Sequence, residues 1–356
     1  MTIRVGTIGA SFAKAAYLPA LSTIEDVELV AIASARMSSA QSAADQFNIP
    51  NVYDDWERML SEHEFDLVCI ATPVKYHAPM VLAALKAGAH VLCEKPMAMN
   101  SDESKQMLEL AEEKSLIHIM GHELRFNPNR QKIKQLIEDG YIGDVRHVNI
   151  VNISASMGDP ASRVENDWWS LESEGGGRLG ANGSHQIDLL RFWLGDIASI
   201  SGQVRTLVPN RIGKDTGNPW IATADDECNF TAEMKNGAVV SVFMSGAARH
   251  TIGNHTQIFG SEGTILLSND DEKLLVAKAG DDYQDMSITD PNADLDGIGK
   301  GIWNVSFVAL MQELTAAIRE GRDLHNSATF EDGLKTQIAM DAVRQSSEER
   351  RWIDLA

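Results

Sequence analysis

The chain has 356 residues, 44% of them hydrophobic, and carries 31 Lys and Arg against 51 Asp and Glu for a formal charge of -20. That length exceeds what a single core serves comfortably and predicts two domains. With so acidic a balance and no basic run to track phosphates, neither nucleic acid nor an anionic membrane is an expected partner.

No stretch of about eighteen apolar residues occurs, and the chain passes from Met1 straight into an apolar strand, so we expect no leader, no membrane span and a cytoplasmic location. The three cysteines, Cys69, Cys93 and Cys228, are odd in number and scattered. They are expected to be small buried hydrophobes in a reducing compartment.

In chain order, residues 3–8 form a β-branched run ending at Gly9, and an alanine-rich amphipathic stretch follows over 12–22. Strands are expected at 27–33, 66–71, 90–92 and 116–120. Helices are expected at 38–47, at 54–61 with Asp54 or Asp55 as cap, at 76–87, and at 102–114 with Ser101 as cap. Strands alternating with helices of about ten residues predict a Rossmann-type, doubly wound parallel sheet over residues 1–121.

From Gly121 the period changes. A helix is expected at 128–139, and β-type stretches at 145–155, 197–206, 227–234, 238–245, 256–259 and 264–267. Some of these are joined by turn signals such as Lys235-Asn236-Gly237. Further helices are expected at 185–193, 306–319 and 330–348. Residues 122–356 thus read as an α/β domain with an open, mostly antiparallel sheet, whose last helices are candidates to pack back on the first domain. The acidic segment 270–296 reads as hairpin and solvated loop, or as the rim of a subunit contact.

Candidate chemistry concentrates at strand ends. Gly9-Ala10-Ser11-Phe12 stands where a dinucleotide-binding turn needs glycine, although Ser11 and Lys14 occupy the later glycine positions of that fingerprint. At the end of the second strand, Ser34 and Arg36 stand where an NAD-selective site would place an acid, which suits a 2'-phosphate and favours NADP over NAD. Pro96 restricts Lys95 to extended angles, so this lysine projects from a strand's carboxyl edge. His118, His122 and Glu123 lie on a strand running into Gly121 and share no helical face, so no metal is assigned.

Taken together, Gly6 to Gly9, Leu18-Pro19-Ala20-Leu21, Thr72-Pro73 with His77, Glu94-Lys95-Pro96, Arg125-Phe126-Asn127-Pro128 and Gly175-Gly176-Gly177 leading to His185 resemble the Gfo/Idh/MocA family. This is the family of glucose-fructose oxidoreductase and inositol dehydrogenase, and the resemblance runs over nearly the whole chain. It implies a Rossmann domain followed by an open-sheet domain, an NADP or NAD cofactor, a sugar or polyol substrate, and a homodimer or homotetramer.

The resemblance also implies roles. Lys95 and His185 become the catalytic pair. Gly9, Ala10, Ser11, Phe12, Ser34, Arg36, Thr72, Pro73, His77, Glu94 and Lys95 become cofactor-binding residues, while Trp168, Asn182 and His185 face the substrate. One departure stands out: many dehydrogenases of this type carry an aspartate four residues before the histidine, where this chain has Ala181. The alternative it leaves open is a non-catalytic, nucleotide- or sugar-sensing regulator of the same fold.

Overall fold

The computed structural model describes residues 2–251 and 253–355. Two compact units form, Met1–Asn127 with Thr289–Lys335, and Pro128–Ile288 with Thr336–Ala356. The first unit thus reaches Asn127 and takes in a late segment, Thr289–Lys335.

That unit is built from β1 (Ile3–Ile8), α1 (Ser11–Ala15), α2 (Tyr17–Ser22), β2 (Val27–Ala33), α3 (Met37–Phe47), β3 (Asn51–Tyr53), α4 (Trp56–Glu62), β4 (Leu67–Ile70), α5 (His77–Lys86), β5 (His90–Cys93), α6 (Ser101–Glu113) and β6 (His118–Met120). All six strands pair in parallel, in the order β3-β2-β1-β4-β5-β6. Strand order reverses between β1 and β4, and the crevice at such a switch point is where α/β sheets hold ligands.

Helices cover both faces. Met59, Val81, Leu85, Met107 and Ala111 pack on one side. On the other, α1, α2 and α3 offer mainly small residues such as Ala13, Ala40 and Ala43, and the helix Ile302–Glu320 completes that layer with Phe307, Val308, Met311 and Leu314. Here lies the physical reason that residues 289–335 belong to the first unit: that helix packs on α2 and shares one buried cluster with Leu67, Cys69, Leu92 and Ile119 of β4, β5 and β6, whose burial is worth roughly 25 cal/mol per Å².

Two local details differ from the sequence reading and a third agrees with it. The expected helix 12–22 is broken at Ala16 (φ -130, ψ -58) into α1 and α2. The cap of α6 is Asn100, whose side chain accepts from the Glu103 amide at 2.9 Å, so Ser101 is the first helical residue and not the cap. Asp55 caps α4, accepting from the Glu57 and Arg58 amides. Short Asn and Asp side chains reach the free amides of a first helical turn, which is why they occupy these positions.

The second unit contains α7 (Pro128–Glu138), β7 (Val145–Ile153), α8 (Ser184–Leu194), β8 (Ile197–Arg205), β9 (Asn210–Ile212), β10 (Pro219–Ile221), β11 (Glu227–Met234), β12 (Val239–Ser245), β13 (His255–Gly260), β14 (Gly263–Ser268), β15 (Lys273–Lys278), β16 (Gln284–Asp285) and β17 (Ile353–Asp354). Following α9, the Ile302–Glu320 helix already described, α10 (Phe330–Glu349) has its first turn in the first unit and its remainder in the second. The nine-stranded sheet runs β16-β15-β14-β13-β7-β12-β11-β8-β17, and only the β7 and β12 pair is parallel.

Strict alternation fixes which face is buried. Along β12, Val240, Val242 and Met244 point inward, while Val239 and Phe243 are exposed on the opposite face. The inner face carries α8 and α10, the latter tied by Ser346 Oγ accepting from the Gly202 amide at 3.0 Å. The hairpin β9-β10 forms a separate two-stranded ribbon that sequence reading did not anticipate. All three cysteines are buried and free. No helix among the described residues is long and apolar enough to cross a membrane.

Candidate active site

In the first unit the carboxyl ends of β2, β1, β4 and β5 lie side by side, and each carries residues singled out above. Gly9, after β1, has φ +100, and a Cβ there would meet the Ala71 carbonyl oxygen at 2.2 Å, so any side chain would push apart the two strands that flank the switch point. Ala10 precedes α1, which has no side-chain cap, so the first-turn amides at Ser11, Phe12 and Ala13 are available to an anion. The cradle therefore fits a dinucleotide pyrophosphate.

Phe12 is not turned to solvent. Its ring stacks on Trp303 at 5.9 Å with 17° between planes, and meets Tyr17 and Phe307 edge-on. At the end of β2, the Ser34 amide donates to the Tyr53 carbonyl at 3.1 Å, and Arg36 is an exposed residue at the start of α3. Lys14 reaches Ser42 Oγ of α3 at 3.2 Å, so two cations, Lys14 and Arg36, stand beside α3 at this edge.

Thr72 and Pro73 follow β4, where the Thr72 hydroxyl contacts Met80 Sδ at 3.6 Å. His77 is fully buried, with Nε2 2.9 Å from the Thr72 carbonyl and Nδ1 3.0 Å from the Pro96 carbonyl. Burial pushes this imidazole below its ordinary value, and the carbonyls that face it pull the other way. Both ring nitrogens are spent on backbone, so the side chain braces the β4 turn against the β5 turn.

After β5, Glu94 is buried and holds three elements together. Its Oε1 accepts from the Tyr17 hydroxyl at 2.6 Å, and its Oε2 accepts from the Lys95 amide at 3.1 Å. Gly121 backs this carboxyl, since a Cβ there would lie 2.6 Å from Glu94 Oε1. Burial raises the Glu94 carboxyl above its ordinary value, with Lys95 and the Tyr17 bond opposing. Lys95 itself is half-buried and projects from the anchored turn. Sequence reading missed Tyr17, whose partner lies 77 positions away.

In the second unit, Trp168 opens a short 3-10 turn with its ring 4.9 Å from that of Trp169. The triple glycine is needed where it stands: a Cβ at Gly176 would meet the Trp168 carbonyl oxygen at 2.4 Å. Residues Leu179–Gly183 then form a π-helical turn containing Ala181 and Asn182, which runs directly into α8 and its buried His185. Gly183 packs on Met244 of β12, which sets the first turn of α8 at one end of the sheet.

Comparison with known proteins agrees with this arrangement. The profile of an oxidoreductase family with an NAD-binding Rossmann fold, Gfo/Idh/MocA, matches residues 3–122, and that of the Gfo/Idh/MocA C-terminal domain matches residues 130–266. Levoglucosan dehydrogenase of Pseudarthrobacter phenanthrenivorans is 28% identical over 353 residues, covering 91% of this chain and 88% of that protein. D-glucoside 3-dehydrogenase of Escherichia coli is 29% identical over 67% of this chain and 68% of its own. Among solved structures, levoglucosan dehydrogenase in complex with NADH and levoglucosan superposes with a TM-score of 0.89 at 26% identity, covering 100% of both chains. Two matched domains in the right order, together with strand ends that carry the family's motifs, make this chain a member of the Gfo/Idh/MocA oxidoreductases.

Proposed function

We propose that the protein is a nicotinamide-dependent dehydrogenase that exchanges a hydride with a hydroxyl-bearing carbon of a sugar, polyol or related hydroxylated carbonyl compound. The observation that carries this reading is the gathering of the Gly9 turn, Ser34 and Arg36, Thr72-Pro73 and Glu94-Lys95 on four adjacent strand ends at a topological switch point. The names of the relatives, dehydrogenases of levoglucosan, D-glucosides and inositol, support the substrate class.

In this reading Gly9, Ala10, Ser11 and Phe12 hold the pyrophosphate, Thr72, Pro73 and Glu94 frame the nicotinamide end, and His77 braces two of those turns. The bound nicotinamide supplies the hydride acceptor or donor. Lys95 hydrogen-bonds the reacting oxygen, His185 exchanges its proton, and Trp168 and Asn182 line the sugar. With Ala181 one turn before it, His185 has no acid at that position to orient the imidazole. Lys14, and Arg36 in a Ser34-Ala35-Arg36 segment without an acid, favour the 2'-phosphate of NADP. The half-apolar outer face of the nine-stranded sheet, with Val239 and Phe243 exposed, supports a homodimer or homotetramer.

Titration of the apo protein with NADPH and NADH, followed by tryptophan fluorescence, tests the cofactor. Tighter NADPH binding is expected; tighter binding of NADH, the cofactor named with similar structures, would reverse the preference. Lys95→Met is expected to abolish turnover of a sugar panel while leaving cofactor affinity nearly unchanged. Full turnover in that variant would remove Lys95 from the mechanism.

A further inference from the structure

Four arginines are buried among the described residues: Arg125, Arg130, Arg178 and Arg211. Three have a carboxylate partner, Arg125 with Asp332 at 3.2 Å, Arg130 with Glu272 at 2.6 Å and Arg211 with Asp226 at 3.5 Å. Arg178 is different. Its Nη2 donates to the side-chain and main-chain oxygens of Asn152, neutral groups; its Nε is buried with no acceptor, as are those of Arg130 and Arg211, so what sets Arg178 apart is the lack of a carboxylate partner.

The nearest acid does not repair this. Asp225 accepts from the Leu179 amide at 2.7 Å through Oδ2, while its Oδ1 lies against Gly177. It forms no ion pair with Arg178, and Arg344 faces the same carboxylate. The position one helical turn on from Arg178 is Ala181, which brings no charge. Arg178 is thus held out of water with neutral groups alone as its hydrogen-bond acceptors, within a chain of net charge -20. A buried guanidinium is costly unless an anion meets it.

Its placement says where that anion would come from. Arg178 leads directly into the π-helical turn that ends at α8 and His185. Asn152, which holds the guanidinium, pairs across the sheet with Met244, and Met244 supports Gly183 in that turn. The guanidinium therefore occupies the same end of the sheet as the first turn of the His185 helix.

We propose that Arg178 is an anion subsite that receives the carboxylate of a sugar acid or polyhydroxy acid, so that the substrate carries one negative charge. This deepens the dehydrogenase reading and rests on it for the rest of the substrate's chemistry. A planar guanidinium matches a carboxylate geometrically. A single arginine unsupported by lysine suits a monoanion better than a phosphate.

The test is calorimetric binding to the cofactor-loaded protein at fixed ionic strength. The probes are D-glucuronate and D-gluconate, their uncharged counterparts methyl D-glucuronate and D-glucitol, and glucose 6-phosphate. We expect the acids to bind about tenfold more tightly than the uncharged compounds, and Arg178→Gln to erase that preference while cofactor affinity persists. Arg178→Lys should keep part of it. If acids and uncharged compounds bind alike, a water or chloride serves the guanidinium and the subsite is wrong. Tighter binding of the phosphate would overturn the carboxylate assignment. The comparison on the wild-type protein needs no variant to fold.

The two readings fail separately. Turnover of neutral sugars without any preference for acids sinks the subsite alone. A preference for acids without turnover of any probe upholds the subsite and sinks the dehydrogenase.

Discussion

Glu94 in the first unit and Arg178 in the second are both ionisable groups taken out of water beside segments expected to take part in catalysis, yet their surroundings are opposite. Glu94 has a donor on each oxygen, from Tyr17 and from the Lys95 amide, and its carboxyl is shifted up chiefly by burial. Arg178 meets only the neutral oxygens of Asn152 and is shifted down chiefly by burial. A completed hydrogen-bond shell marks a group whose task is to hold its own chain in place. A buried guanidinium bonded to no carboxylate marks a group waiting for an anion that the chain does not supply.

Arg211 sharpens this comparison because it shares the unit of Arg178 and has the partner that Arg178 lacks. Asp226 accepts from the Leu207 and Val208 amides at 2.7 and 2.9 Å and lies 3.5 Å from Arg211, both side chains being 1% exposed. Removing the arginine strands that acid, so Arg211→Met is expected to lower stability by about 3 kcal/mol, read as the shift in urea midpoint. Arg178→Gln should cost clearly less. Equal losses would place the two arginines in one structural class and weaken the subsite.

Tyr17→Phe breaks the completed shell of Glu94 without changing shape, and a loss of roughly 1–3 kcal/mol is expected from the unmet carboxylate. The sign with pH follows from the raised carboxyl. Glu94 is protonated more readily in the folded chain, so its ionisation removes stability as pH rises through the folded value. The Tyr17 bond opposes that shift by favouring the ionised form. The penalty of Tyr17→Phe is therefore expected to be largest near neutrality and to shrink as pH falls toward the ordinary glutamate value of 4.5. Denaturation curves at several pH values check this, and a penalty independent of pH would mean that Glu94 stays protonated throughout.

The smallest effect belongs to a purely local contact. Asn100→Ala removes the cap on the Glu103 amide and should cost about 1 kcal/mol, with no change in cofactor affinity, by the same denaturation measurement and a fluorescence titration. A fall in cofactor affinity would show that α6 bears on the Lys95 turn, which follows Glu94 on the neighbouring strand.

Much of this molecule was legible before the fold was known, and particular residues show why. Gly9, Thr72-Pro73 and Glu94-Lys95-Pro96 stand where an apolar run stops, and in a parallel βα unit every such stop falls on the same edge. The alternation along residues 238–245 likewise announced a strand with one buried face. What stayed hidden was long-range. Helix Ile302–Glu320 stood in the sequence only as a candidate to pack back on the first domain, and the face it fills beside α2 was set by folding. The β9-β10 ribbon is two three-residue pairs, too short for any period to register.

The sequence by itself determined the alternating first half, the change of period after Gly121, the family motifs and the strand ends on which they stand, because each rests on contacts between near neighbours or on backbone rules of Gly and Pro. Only the tertiary structure decided that Tyr17 closes on Glu94, that His77 spends both nitrogens on carbonyls, that Trp303 covers Phe12 and that Arg178 is buried without an acid. In each case the energy of a polar or aromatic group depends on a partner brought close by folding, and the order of residues along the chain does not record that distance.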